Sequence, residues 1–158
     1  MNEESIIGVL TYMMKNNVDQ PSQLSGDLTP LISALHHAGF ETRVIERAVS
    51  WLEDLVAKSQ APSGNPSLSA TRVFTDREIF HIGLHCLRLI IDLEQQNALT
   101  PHTREIVLQQ ALALDIDDIE PNTIHWIALM VLSQQPDCSR ELALLEFIVL
   151  RHTHHRLQ

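Results

Sequence analysis

His81 and His85 stand four residues apart with Cys86 beside the second, and on one helical face that spacing can bring two imidazoles to a single metal ion. A zinc-dependent protease would also need a glutamate between them as its general base, and none is present. No third ligand is spaced to close the site. His81 and His85 are therefore the metal candidates of the chain, set against a plainer reading as two solvated imidazoles on a polar stripe, and no cofactor is expected. The stretch Arg151-His152-Thr153-His154-His155-Arg156 gathers three of the nine histidines. Such a tract picks up zinc or nickel without a fixed geometry. Asp115-Ile116-Asp117-Asp118-Ile119-Glu120 holds four carboxylates in six residues, but it lacks the sixth-position glycine and the downstream glutamate of a calcium loop. Acids just ahead of Pro121 instead offset the partial positive charge at the start of a helix. The five glycines form no phosphate-cradling loop, no dinucleotide fingerprint and no nucleophile elbow. The neighbouring Glu53 and Asp54 fall on the polar face of an amphipathic helix. The expectation is a protein without a catalytic constellation.

The elements that must carry these residues are helices. Ile6, Val9, Leu10 and Met13 recur at helical spacing behind Glu3 and Glu4, and Pro21 and Gly26 end that run. A second helix starts near residues 28–30 and stops at Ala38-Gly39-Phe40, where Gly39 supplies a left-handed cap and Phe40 folds back. The third, about 42–57, has the cleanest period: Val44, Ile45, Ala48, Val49, Trp51, Leu52, Leu55 and Val56. Residues 59–72 are rich in Ser, Pro, Ala and Gly and read as a flexible linker. Thr75-Asp76-Arg77-Glu78 has capping-box spacing, so a long fourth helix is expected from there to about Asn97. Its wet stripe is Arg77, His81, His85, Arg88, Asp92 and Gln95, and the apolar remainder places it centrally. Thr100-Pro101 opens a fifth helix and Pro121 a sixth, whose body at 124–132 is apolar nearly all round. A seventh carries Leu142, Leu144, Leu145, Phe147, Ile148 and Leu150, and residues 151–158 read as a frayed polar end.

The fold class expected is all-α: about seven helices in one domain, 1–158. An N-terminal three-helix unit (1–58) would be joined through the linker 59–72 to a C-terminal four-helix unit (73–151). The chain length of 158 residues suits one domain with its own core. Hydrophobic residues make up 44% and aromatics 4%, so aliphatic side chains must fill the interior. The formal charge of −9 repels polyphosphates and argues against direct contact with nucleic acid. Cys86 and Cys138 lack CxxC spacing and lie among apolar residues, which reads as two packing thiols in a reducing compartment, with a disulfide between them left open. The acidic start, Met1-Asn2-Glu3-Glu4, lacks the positive charge of a secretory signal. The longest purely apolar run, 126–132, is far short of the roughly 18 to 20 residues that cross a bilayer. The expectation is a cytoplasmic protein with no membrane span.

Residues 28–56 look like a helix-turn-helix, whose second helix would read DNA. Its charges decide against that, since Arg43, Arg47 and Lys58 are outnumbered by Glu41, Glu46, Glu53 and Asp54. A tri-helical packing unit is the better reading. The exposed side of the Trp51 helix, with Arg43, Arg47 and Trp51 as interaction candidates, or a groove between the two helical units, is the candidate contact for an unknown protein partner.

The chain resembles the Smg family of bacterial proteins over most of its length. The resemblance rests on Ala38-Gly39-Phe40, Ala48-Val49-Ser50-Trp51-Leu52, Leu93-Glu94-Gln95, Thr103-Arg104-Glu105-Ile106-Val107, Ala111-Leu112-Ala113-Leu114-Asp115 and Trp126-Ile127-Ala128-Leu129-Met130-Val131-Leu132. It implies a cytoplasmic bacterial protein, often encoded beside a DNA-processing protein that handles incoming single strands, and it brings no catalytic residues. The chain departs from the family's pattern at Met13-Met14, a region usually more aromatic, and in its histidine-rich tail. Two roles follow as expectations: a non-enzymatic helical interaction or adaptor module, or an accessory in DNA uptake or processing that acts with a DNA-processing protein or on single-stranded DNA.

Overall fold

The computed structural model describes residues 6–15, 28–61, 73–114, 116, 118–135 and 137–156. Among them are eight α-helices and no strand: α1 (Ile6–Lys15), α2 (Thr29–His37), α3 (Thr42–Gln60), α4 (Asp76–Ile82), α5 (Leu84–Gln95), α6 (Pro101–Ala113), α7 (Pro121–Ser133) and α8 (Ser139–Arg156). The all-α class holds. The chain divides into two compact units, Met1–Lys58 and Ser59–Gln158.

In the first unit, α1 buries Ile6, Val9, Leu10 and Met13, which repeat every three or four residues along one face. Pro30 lies in the first turn of α2, where a missing N–H leaves no bond unmade. The helix stops because Gly39 adopts φ +96°, a conformation that costs glycine little. The Gly39 N–H donates to the His36 carbonyl at 3.1 Å and the Phe40 N–H to the Leu35 carbonyl at 3.2 Å, satisfying carbonyls that a helix end leaves open. Phe40 meets Tyr12 edge-on, with ring centroids 5.8 Å apart. Along α3, Val44, Ile45, Ala48, Trp51, Leu52 and Leu55 are buried, as the period requires. The helix continues to Gln60, so the expected linker does not begin at residue 59, and Ser59 is itself buried. Residues 62–72 lie outside the described residues.

The second unit corrects the expected helix count. The single long helix from Thr75 to Asn97 is two, α4 and α5, which meet at Gly83 with φ 87° and ψ 149°. That region of backbone space is essentially open to glycine alone. The Gly83 N–H donates to Ile79 to close α4, and its carbonyl accepts from Leu87 to begin α5. Hydrophobic spacing is blind to the break because the buried stripe Ile82, Cys86, Leu87, Ile90 and Leu93 keeps its phase across it. At the other end of α5, Asn97 takes φ 65°, and the Ala98 N–H returns to the Leu93 carbonyl at 2.9 Å. This is the same closing turn as at Gly39, with asparagine in glycine's place.

Thr100 caps α6: its hydroxyl accepts from the Thr103 N–H at 3.1 Å, and its own N–H donates to the Thr103 hydroxyl at 2.8 Å. Pro101 fills the first turn behind it. Helix α7 buries Ile124, Ile127, Ala128, Met130, Val131 and Leu132, and it packs against α5, α6 and α8. The expected frayed end at 151–158 is helical as far as Arg156, since residues 151–156 hold no glycine or proline to stop it.

Substitutions separate the packing from the backbone constraint. Replacing Ile127 with Ala removes buried apolar contact and is expected to cost about 2–5 kcal/mol. Gly83→Ala meets no atom within 4 Å of the added methyl group, so its loss, about 1–3 kcal/mol, is backbone strain alone. Asn97→Gly is expected to leave stability unchanged or raise it slightly. Urea unfolding of the three variants checks all of these.

Candidate functional site

The side chains best placed to meet something outside the chain lie where α4 joins α5. The start of α4 is fixed by the capping box read from the sequence: the Thr75 hydroxyl accepts from the Glu78 N–H at 3.2 Å, and Glu78 Oε2 accepts from the Thr75 N–H at 2.9 Å. This inward turn uses up Glu78, which is buried. One turn later comes Phe80, 72% exposed, and just past the Gly83 break comes Leu84, 65% exposed. Val73 and Ile79 are exposed near them. The Phe80 ring stands edge-on to His81, with centroids 5.1 Å apart. Arg77, His85 and Arg88 are exposed on the same stretch. The stretch thus carries large exposed apolar side chains and exposed basic ones together.

The structure separates the two metal candidates. His81 is half-buried on α4 and His85 exposed on α5, on opposite sides of Gly83, so the spacing of a single helical face does not apply to them. Among the described residues no three His, Cys, Asp or Glu side chains are grouped to hold a metal ion. The side chains of His152, His154 and His155 lie outside the described residues, as do Asp115 and Asp117 of the acidic run. Arg43 and Arg47 are exposed on α3, whereas Trp51 is only 4% exposed and serves as packing. Trp51 therefore offers no aromatic anchor beside the two arginines.

Two interior arrangements hold the second unit in place. Arg104 on α6 holds Glu94 of α5, its Nη1 donating to both carboxylate oxygens at 2.9 and 2.8 Å. Its Nε donates to Glu105 at 2.8 Å. With 11% of its side chain exposed, this arginine is a structural link between helices. Cys86 donates its thiol to the Ile119 carbonyl at 3.1 Å, tying α5 to the residues ahead of α7. Cys86 and Cys138 are both free and buried. Burial pushes the Cys86 thiol above its ordinary value. Cys138 is raised by burial first, then by Glu141 and Asp137.

The family model described as "Protein of unknown function (DUF494)" matches residues 6–158. A "Protein Smg homolog" of Coxiella burnetii (strain Dugway 5J108-111) is 38% identical over 153 residues, 97% of each chain. The chain belongs to the Smg family. A "Protein Smg homolog" of Thioalkalivibrio sulfidiphilus is 35% identical, covering 85% of this chain and 86% of its own. "Protein Smg" of Buchnera aphidicola (strain 5A) is 34% identical over 82% of this chain and 85% of its own. No solved structure matches the chain. Family membership transfers no site residue.

Sequence reasoning missed the exposed corner by counting Leu84 with the apolar remainder of one central helix, although Arg77 seven residues before it and Arg88 four after share its helical face. The signal that marks it is Gly83, a glycine inside an otherwise helical run.

The interior arrangements make two predictions. Arg104→Met leaves the half-buried Glu94 carboxylate without its cationic partner and should cost about 1–3 kcal/mol, whereas Glu105→Gln on the wetter side should cost less than about 1 kcal/mol. Urea unfolding compares them. In native protein both thiols should react far more slowly with a disulfide reagent at neutral pH than in unfolded chain. Because each thiol ionises late, the native rate should still be climbing above the ordinary thiol value of 9.0. A stopped-flow pH series reads this directly.

Proposed function

We propose that the chain is a non-enzymatic helical interaction or adaptor module of the cytoplasm whose partner is a protein. The observation that carries this reading is the pairing of strong exposure at Phe80 and Leu84 with firm anchoring of the helices that bear them. Capping at Thr75, the buried stripe from Ile82 to Leu93 and the Arg104 link hold α4 and α5, so the exposed side chains are presented rather than loosely displayed. A second exposed apolar pair, Phe147 and Leu150, stands one turn apart on α8. The sequence organisation supports an adaptor as well: an N-terminal three-helix part is joined to a longer C-terminal part through a Ser-, Pro- and Gly-rich stretch. The charge of −9 disfavours a nucleic-acid partner. Free thiols at Cys86 and Cys138 suit a reducing compartment, and no helix among the described residues is long and apolar enough to cross a membrane.

Affinity capture of the tagged chain from extract of its own cells, run over a range of salt, is expected to retain one protein in stoichiometric amount. A low-salt gel-shift series at micromolar protein is expected to show no retardation of single- or double-stranded DNA. An empty capture at every salt, or a shifted DNA band, counts against the reading.

A further inference from the structure

The charge around the exposed corner differs from that of the chain as a whole. Residues 77–88 contain Arg77, His81, His85 and Arg88 and one acid, Glu78. That acid is buried, with its carboxylate accepting the Thr75 N–H. Among the described residues neither Arg77 nor Arg88 makes an ion pair, in contrast to Arg104, which is spent on Glu94 and Glu105. Asp76 and Asp92, both exposed, border the stretch on either side. A chain of net charge −9 thus carries Phe80 and Leu84 on a stretch whose exposed charged groups are Arg77 and Arg88, with Asp76 and Asp92 just outside it.

Resting on the interaction-module reading, we infer that the α4–α5 corner receives an acidic amphipathic polypeptide segment. Apolar side chains of the segment cover Phe80 and Leu84, and its carboxylates meet Arg77 and Arg88. Guanidinium groups pair carboxylates through two parallel hydrogen bonds, which gives register as well as attraction. The apolar anchors supply part of the affinity, and the charged contacts add the remainder and select the partner. Asp76 and Asp92 repel carboxylates that overrun the stretch, so the acidic positions must fall between them. A basic segment would lose the pairing and meet both arginines as like charges.

The test pans a random peptide library displayed on phage against the full-length chain, with parallel panning on Phe80→Ser/Leu84→Ser and Arg77→Glu/Arg88→Glu. Circular dichroism melting confirms that these surface variants stay folded. The wild-type chain is expected to enrich acidic peptides carrying at least two large apolar residues. The leading enriched peptide, fluorescein-labelled and followed by anisotropy, should bind each variant about tenfold more weakly or worse. Its affinity for the wild type should fall as salt rises. Enrichment of neutral or basic peptides overturns the inference, as does a peptide that binds the Ser variant equally well, or no enrichment over a blank support. Sedimentation that shows a dimer of the wild type lost in Phe80→Ser/Leu84→Ser also overturns it, by assigning the corner to self-association. A cell-extract partner retained equally by wild type and the Ser variant sinks the corner and leaves the module standing, whereas an empty capture with both sinks the module itself.

Discussion

The second unit depends on the burial of α7. Its body carries Ile124, Ile127, Ala128, Met130, Val131 and Leu132 at positions that point in most directions from the helix axis, so no single neighbour can cover it. Each fully buried Ile or Leu contributes about 1.5–3 kcal/mol relative to exposure, and that gain is reached only when α5, α6 and α8 close around the helix together. The placement of those three is therefore a condition of α7 being soluble at all.

The remaining contacts fix what burial alone leaves adjustable. Apolar packing is non-directional, so it does not set the register of α5 against α6. The Arg104–Glu94 pair adds direction, because one guanidinium nitrogen makes short charge-assisted hydrogen bonds to both oxygens of the carboxylate. The Cys86 thiol adds a second directional tie, to the Ile119 carbonyl before α7 begins. With α5 held this way, α4 packs on α5 and α6, and the Gly83 turn sets its direction. Continuing α5 straight back through residue 83 would carry α4 elsewhere, so the backbone bend is what the packing selects.

This division explains which features were legible in the sequence. Spacing of Val44, Ile45, Ala48, Trp51, Leu52 and Leu55 identified α3 and its buried face, because a helix between core and water must alternate every three or four residues. Thr75, Thr100, Pro101, Pro121 and Gly39 marked ends correctly, since capping is a local transaction between a side chain and its own backbone. The break at Gly83 was not legible in the hydrophobic period, which measures the phase of side chains, and the phase is kept across it. Trp51 belongs to the buried period of α3, so the outer side of that helix carries Arg43 and Arg47 without it. Membership of the Smg family was legible from runs such as Trp126-Ile127-Ala128-Leu129-Met130-Val131-Leu132, but those residues describe a core and carry no information about a partner.

The magnitudes at the exposed corner constrain the kind of complex it can make. Covering Phe80 and Leu84 would release on the order of 3–6 kcal/mol of apolar transfer free energy in all. Bringing two molecules together costs an estimated 4–15 kcal/mol in lost rigid-body freedom. The two anchors alone therefore fall short of a stable complex, and the deficit has to be met by directional contacts at their margins. Arg77 and Arg88 are the charged groups in position to supply them, and exposed pairs of that kind are individually weak and screened by salt. A site so built gives modest affinity, quick exchange and strong dependence on ionic strength. Those are properties of an adaptor that samples partners, and they differ from those of a subunit locked into a permanent assembly, which would present a larger and more uniformly apolar face.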